Sequence, residues 1–97
     1  MKLVRRAAKI DANQPAIVQA LRKAGALWIP IGYPFDGLAG YGRVWTPLEV
    51  KDGDKAPSQQ KLTDAQQDFF RLAHSYCLPA KIVTSAEEAL KAVGAIR

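Results

Sequence analysis

Cysteine occurs once, at Cys77, so no internal disulfide can form, and a lone thiol suits a reducing cytoplasm. Histidine also occurs once. His74-x-x-Cys77 has the spacing of half a zinc site, but zinc takes four ligands, or three and a water, and no further His or Cys exists to complete the set. The pair therefore reads as a helix-end imidazole and a packed thiol. No apolar run approaches the length of a bilayer-crossing helix, and Met1-Lys2-Leu3-Val4-Arg5 lacks the apolar core of a signal peptide, so no membrane association is expected. No segment repeats. Acidic residues are outnumbered, 9 against 14 basic ones, which leaves a net charge of +5 and a pI near 9.6. That surplus suits a polyanion such as nucleic acid, and it also serves solubility.

What is present is enough for one folded domain over residues 1–97. The hydrophobic fraction is 48%, and the chain is near the lower size at which one core suffices without disulfides or structural metal. Lys2, Arg5, Arg6 and Lys9 open the chain with no acid among them, as a basic arm for phosphates or as an outer strand with a solvated face. Asn13 is a plausible N-cap and Pro15 fits a first helical turn; Ile17, Val18, Leu21 and Ala24 recur at helical spacing until Gly25 stops them. Ala26 to Gly32 reads as a strand whose Pro30 suits an edge or a strand end. After the turn-rich segment Asp52 to Gln60, Thr63-Asp-Ala-Gln66 has the form of a capping box. The helix it opens carries Ala65, Phe69, Leu72 and Tyr76 as its apolar stripe, with Gln66 at the edge, while Gln67 tracks with Phe70 and His74. Ala80 to Thr84 is a short buried strand, and Ser85-Ala-Glu-Glu88 is a second capping box for a helix with Ala89, Leu90 and Val93 inward, ending near Gly94. The order is helix, three strands, helix, strand, helix: an α/β fold with a mixed sheet flanked by helices.

The stretch Pro34 to Lys51 carries the chemistry. It reads as a hairpin, and with Gly42-Arg43 as a type II′ turn, Asp36 falls opposite Glu49, with Lys51 two residues on along the same face. Directly opposed residues have Cβ atoms about 5 Å apart, where two carboxylates repel unless a positive charge lies between them. Lys51 offers one such charge; a hard divalent cation among oxygen ligands, of which Mg²⁺ is typical, offers two. The plainer alternative places Asp36 in a loop and ends a strand at the solvent with Glu49-Val50-Lys51. On the second strand Val44, Thr46, Leu48 and Val50 should pack on the helices; Pro47 sits badly in a central strand, and a bulge there would shift the register and weaken the pairing of Asp36 with Glu49.

Asp36, then Glu49-Val50-Lys51 after a Gly-punctuated hairpin, then Lys61-Leu62-Thr63-x-x-Gln66 opening a helix, resembles the PD-(D/E)xK nuclease superfamily, and more narrowly the small phage and bacterial enzymes of the VRR-NUC and Holliday-junction-resolvase kind. The likeness spans nearly the whole chain. It implies a restriction-endonuclease-like αβββαβ core with a C-terminal helix, and a cytoplasmic, bacterial or phage-encoded DNA endonuclease selective for branched DNA or nicking it, working as a homodimer. It also implies catalytic roles for Asp36, Glu49, Lys51 and Gln66, and a Mg²⁺ ion, replaceable by Mn²⁺, held by Asp36, Glu49 and the Val50 main-chain carbonyl. Arg5, Arg6, Lys9, Lys55 and Lys61 are the candidate DNA phosphate contacts, and Trp28, Trp45 and Phe70 the candidate aromatic ones. One departure stands out: where the resembled enzymes bring a Glu from the first helix, this chain has Gln14 and Ala16, which leaves Asp11 as a substitute or makes the protein a catalytically weak DNA-binding accessory subunit.

Overall fold

The computed structural model of the chain describes residues 11–56 and 61–97; Arg5, Arg6 and Lys9 lie outside the described residues. Along the chain come α1 (Gln14–Lys23), β1 (Leu27–Pro30), β2 (Gly37–Tyr41), β3 (Val44–Val50), α2 (Asp64–Ser75), β4 (Lys81–Val83) and α3 (Ala86–Val93). The strands form one mixed sheet in the order β1-β2-β3-β4, antiparallel through β3, with β4 parallel to β3. A parallel pair needs a crossover connection, and α2 supplies it.

Alternation along β3 divides the sheet's two faces. Thr46, Leu48 and Val50 are buried, and Leu48 and Val50 join Trp28, Ala39 and Val83 against Ile17, Val18 and Leu21 of α1 and Ala89 and Val93 of α3. Gly37 belongs to this packed face: a Cβ there would collide with the Trp28 ring and lie 2.8 Å from the Ile29 carbonyl oxygen. α2 lies on the other side with a smaller cluster of Phe70, Ala73 and Ala80, joined by Leu62 and Phe69. Val44 was expected to pack as well, but near the hairpin tip it is 48% exposed.

The hairpin register matches expectation, with Gly37 opposite Leu48 and Tyr41 opposite Val44 around Gly42-Arg43. The turn itself differs. Gly42 has φ +60° and Arg43 φ +70°, and positive values at both central positions belong to type I′, whose twist matches that of the strands. Pro47 causes no bulge, since Leu38 pairs with it in unbroken register. The reason lies in peptide alternation. The Leu48 carbonyl accepts from Asp36 N–H on the β2 side, so the Pro47 nitrogen faces the opposite edge, which β4 joins only from Leu48 onward.

The helix ends follow the sequence in part. Thr63 and Gln66 form the full reciprocal capping box. At α3, Ser85 accepts from Glu88 N–H, but the Glu88 carboxylate accepts from the Thr84 N–H and hydroxyl instead of returning to Ser85, and Gly94 closes the helix at φ +86°. The apolar stripe expected on α2 is displaced: Gln66, Phe70 and Ala73 are buried, while Leu72 and Tyr76 are 60% and 71% exposed. Cys77, expected to be packed, is exposed with φ +58°, and His74 Nε2 lies 2.9 Å from the Ala80 carbonyl oxygen.

Candidate active site

Asp36 stands where β2 begins, and its backbone is held from both sides. Its N–H donates to the Leu48 carbonyl at 3.0 Å, and its carbonyl accepts from Ile31 and Gly32 N–H at 2.9 and 3.2 Å. The side chain turns to β3, where Oδ2 accepts the Val50 N–H at 2.7 Å. Since a residue's N–H and C=O share one edge of a strand, the Val50 carbonyl opens to this same edge. The Val50 side chain, by contrast, is in the core.

Glu49 and Lys51 project from β3 on the face opposite Leu48 and Val50. Glu49 is only 4% exposed; its Oε2 is 3.2 Å from Lys51 Nζ, and its Oε1 has no hydrogen-bond partner among the described residues. Burial, and then the neighbouring Asp36, push the Glu49 pKa up to about 7, against the pull of Lys51 and Gln66. Asp36 is also raised above the ordinary carboxylate range, mainly by burial and further by Asp11, while the Val50 N–H, the Lys51 ammonium and Glu49 draw it back. Two acids compete for the compensation that one lysine supplies.

α2 contributes Gln66, 9% exposed, whose Oε1 completes the capping box by accepting the Thr63 N–H at 3.0 Å and whose side chain favours the ionised form of Glu49. The capping box is the one the sequence predicts, and the same side chain lies beside the Glu49 carboxylate. Gln67 is exposed and donates to the Leu62 carbonyl. Phe69 stacks on Phe35, the residue before Asp36, with centroids 4.8 Å apart.

The N-terminus of α1 is tied to the same place by a residue whose part was not expected. Asn13 makes no side-chain cap; its Nδ2 donates to the Lys51 carbonyl at 3.1 Å and to the Thr84 carbonyl at 3.0 Å, pinning α1 to the ends of β3 and β4. An Asn ahead of a Pro-led helix reads as a cap, and nothing local announces carbonyl partners 38 and 71 residues away. Asp11 lies near enough to act on Asp36, and its Oδ1 pairs with Lys55 Nζ at 3.3 Å. Lys55, expected to meet phosphate, thus ties the loop after β3 to the residues before α1. Gln14 is buried, its Oε1 without a hydrogen-bond partner among the described residues, and Ala16 is exposed. Lys61 is exposed, Trp28 and Phe70 are buried in the two clusters, and Trp45 is half exposed.

The structure thus brings Asp36, Glu49, Lys51, Gln66 and the Val50 peptide together. Among the described residues no group of three or more His, Cys, Asp or Glu side chains is placed to hold a metal ion. The acids remain a pair of hard oxygen donors, with one buried oxygen unpartnered and both pKa values raised, and that donor set fits a small dication. No protein-family model, curated protein or solved structure matches the chain.

Proposed function

We propose that the protein is a Mg²⁺-dependent endodeoxyribonuclease of the PD-(D/E)xK type, with the four-stranded sheet and its flanking helices as a restriction-endonuclease-like core, and that it nicks or resolves branched DNA. The observation that carries this reading is Glu49: a carboxylate almost fully buried beside a second acid, with one oxygen paired to a lysine and the other without a hydrogen-bond partner among the described residues. A core built only for stability would place an apolar side chain there, because a buried charge short of compensation is costly.

Asp36, Glu49 and the Val50 carbonyl would hold the ion, which when bound would neutralise phosphate charge and make a water more acidic. The chain's own groups do the positioning. The Val50 N–H fixes the Asp36 carboxylate, Lys51 orients that of Glu49, and Gln66 favours its ionised form. Lys51, its side chain 14% exposed, would offer its ammonium to the attacking oxygen or to the charge growing on the phosphate. Mn²⁺ would substitute for Mg²⁺, since both take carboxylate and carbonyl oxygens.

A second reading, a DNA-binding accessory subunit with little activity, draws on the absence of an acid at Gln14 and Ala16. Incubation with a four-way junction, a linear duplex and a single strand, each in Mg²⁺, Mn²⁺ or EDTA and alongside Glu49→Gln, separates the two. Metal-dependent nicking that the variant loses supports the enzyme. Binding without cleavage under every condition supports the accessory subunit.

A further inference from the structure

Trp45 and Glu49 alternate in step on β3, so the indole stands on the same face of the sheet as the candidate site, about 13 Å away along the strand. The ring lies flat. Its Cζ3, Cε3 and Cη2 atoms would be 2.9, 3.1 and 3.3 Å from a Cβ on Gly40, and such near-equal distances put one π face down on the glycine. Trp45 is nevertheless 51% exposed, so the other π face meets solvent. Beside it a groove of about 310 Å³ is lined by Leu27, Tyr41, Arg43, Val44, Trp45 and three glycines, with neither an acid nor a side-chain amide among them. Arg43 is exposed, makes no ion pair among the described residues, and holds φ +70° at a turn position where Gly or Asn sits with less strain. An exposed cation kept at that cost calls for an anion.

We propose that the hairpin tip binds one unpaired nucleotide of a DNA strand, its base stacked on the outer face of Trp45 and its phosphate on Arg43. DNA as the partner rests on the reading above; the cleavage chemistry does not enter. The lining selects this occupant over others. A sugar would need carboxylate or amide partners for its hydroxyls, and the groove has none. A methylated ammonium, which an indole also attracts, would meet the like charge of Arg43. A paired base shows only its edges in the grooves of a duplex, so a flat platform takes a base that has left the stack. A strand seated there and running along β3 past Pro47 would reach Glu49 after about four nucleotides at stacked spacing. The tip thus sets how far from the unpaired base the strand meets the candidate site.

Tryptophan fluorescence and anisotropy titrations in EDTA test the assignment, with a labelled oligothymidylate of about 12 nucleotides and a blunt duplex of the same length. The single strand is expected to quench the exposed indole, with buried Trp28 as a constant background, and to bind more tightly than the duplex. Trp45→Ala should weaken single-strand binding about fivefold to a hundredfold, and Trp45→Phe should recover most of it. Arg43→Asn, which keeps the positive φ, should lower the slope of log affinity against log salt by about 0.7, the share of one phosphate on a single strand, and it serves as the second variant should Trp45→Ala fail to fold. A duplex bound as tightly as the single strand, no binding of either, or folded variants with wild-type affinity and salt response would overturn it. Cleavage decides the nuclease reading separately. A chain that never cuts but binds the single strand through Trp45 keeps this site and loses the nuclease; one that cuts with Mg²⁺ while Trp45→Ala binds unchanged does the reverse.

Discussion

Glu49→Gln removes a charge and little else, so its effect on stability can be worked out with a sign. In the folded chain Glu49 holds its proton up to about pH 7, whereas unfolded it would release it near 4.5. Between those values the folded state binds more protons, so the contribution to stability is full below about pH 4.5, declines as pH rises through the window, and levels off above 7. That is the reverse of a salt-bridged surface carboxylate. At about 1.4 kcal/mol per pH unit the decline amounts to about 3 kcal/mol, and Asp36, displaced in the same direction, steepens it. Glutamine keeps the shape without the titration, at the loss of a lysine contact of about 1 kcal/mol. The variant should therefore melt higher than wild type at pH 8 by about 2 kcal/mol, roughly 8–16 °C in a domain this size, and differ little at pH 4. Calorimetric melts in EDTA from pH 4 to 8 measure this directly. With about 10 mM Mg²⁺ and a dissociation constant near 1 mM, wild type at pH 8 should recover about 1.4 kcal/mol and the variant nothing. A wild-type chain that gains stability between pH 5 and 7 would refute the reasoning about burial. An equal Mg²⁺ response in both proteins would remove Glu49 from the ion's site.

Lys51→Met should raise both acids' pKa values further, because the ammonium pulls each of them down, and on the proposed chemistry should cut single-turnover cleavage by about 10²–10³. Asn13→Ala should cost about 1–2 kcal/mol in urea unfolding, through two carbonyls left without their donor. Gly37→Ala and Gly40→Ala should diverge. The first drives a methyl into backbone and a buried indole, at about 2 kcal/mol; the second meets only the exposed Trp45 ring, which can swing aside at under about 1 kcal/mol. Comparable losses at both would contradict the assignment of the two faces.

The hairpin was legible in the sequence because a two-residue turn fixes register and alternation fixes the face; together they place Asp36, Glu49 and Lys51 before any coordinate is known. Turn type was less so, since Gly-Arg fits II′ and only the backbone reveals that Arg43 also adopts positive φ. On α2 two stripes compete at the same helical period. Pattern favours Phe69, Leu72 and Tyr76, yet the fold buries Phe70, Ala73 and a glutamine, because Gln66 has its own cap and a buried acid to face. A polar residue drawn inward by another buried polar residue leaves no mark in hydrophobic periodicity. The Asn13 clamp was invisible for a related reason: its partners are main-chain carbonyls, which every residue possesses.

The way the two acids are already engaged limits how they could bind an ion. Asp36 gives one oxygen to the Val50 amide and Glu49 one to the Lys51 ammonium, so bidentate chelation by either acid would compete with a contact already made. With those contacts kept, the described residues would offer one oxygen from each acid and a peptide carbonyl along the same edge, and water or the oxygens of a phosphodiester would complete the shell of a bound ion. Magnesium, which sheds its hydration reluctantly, tolerates that arrangement; calcium, which gathers about six to eight ligands, would be left short.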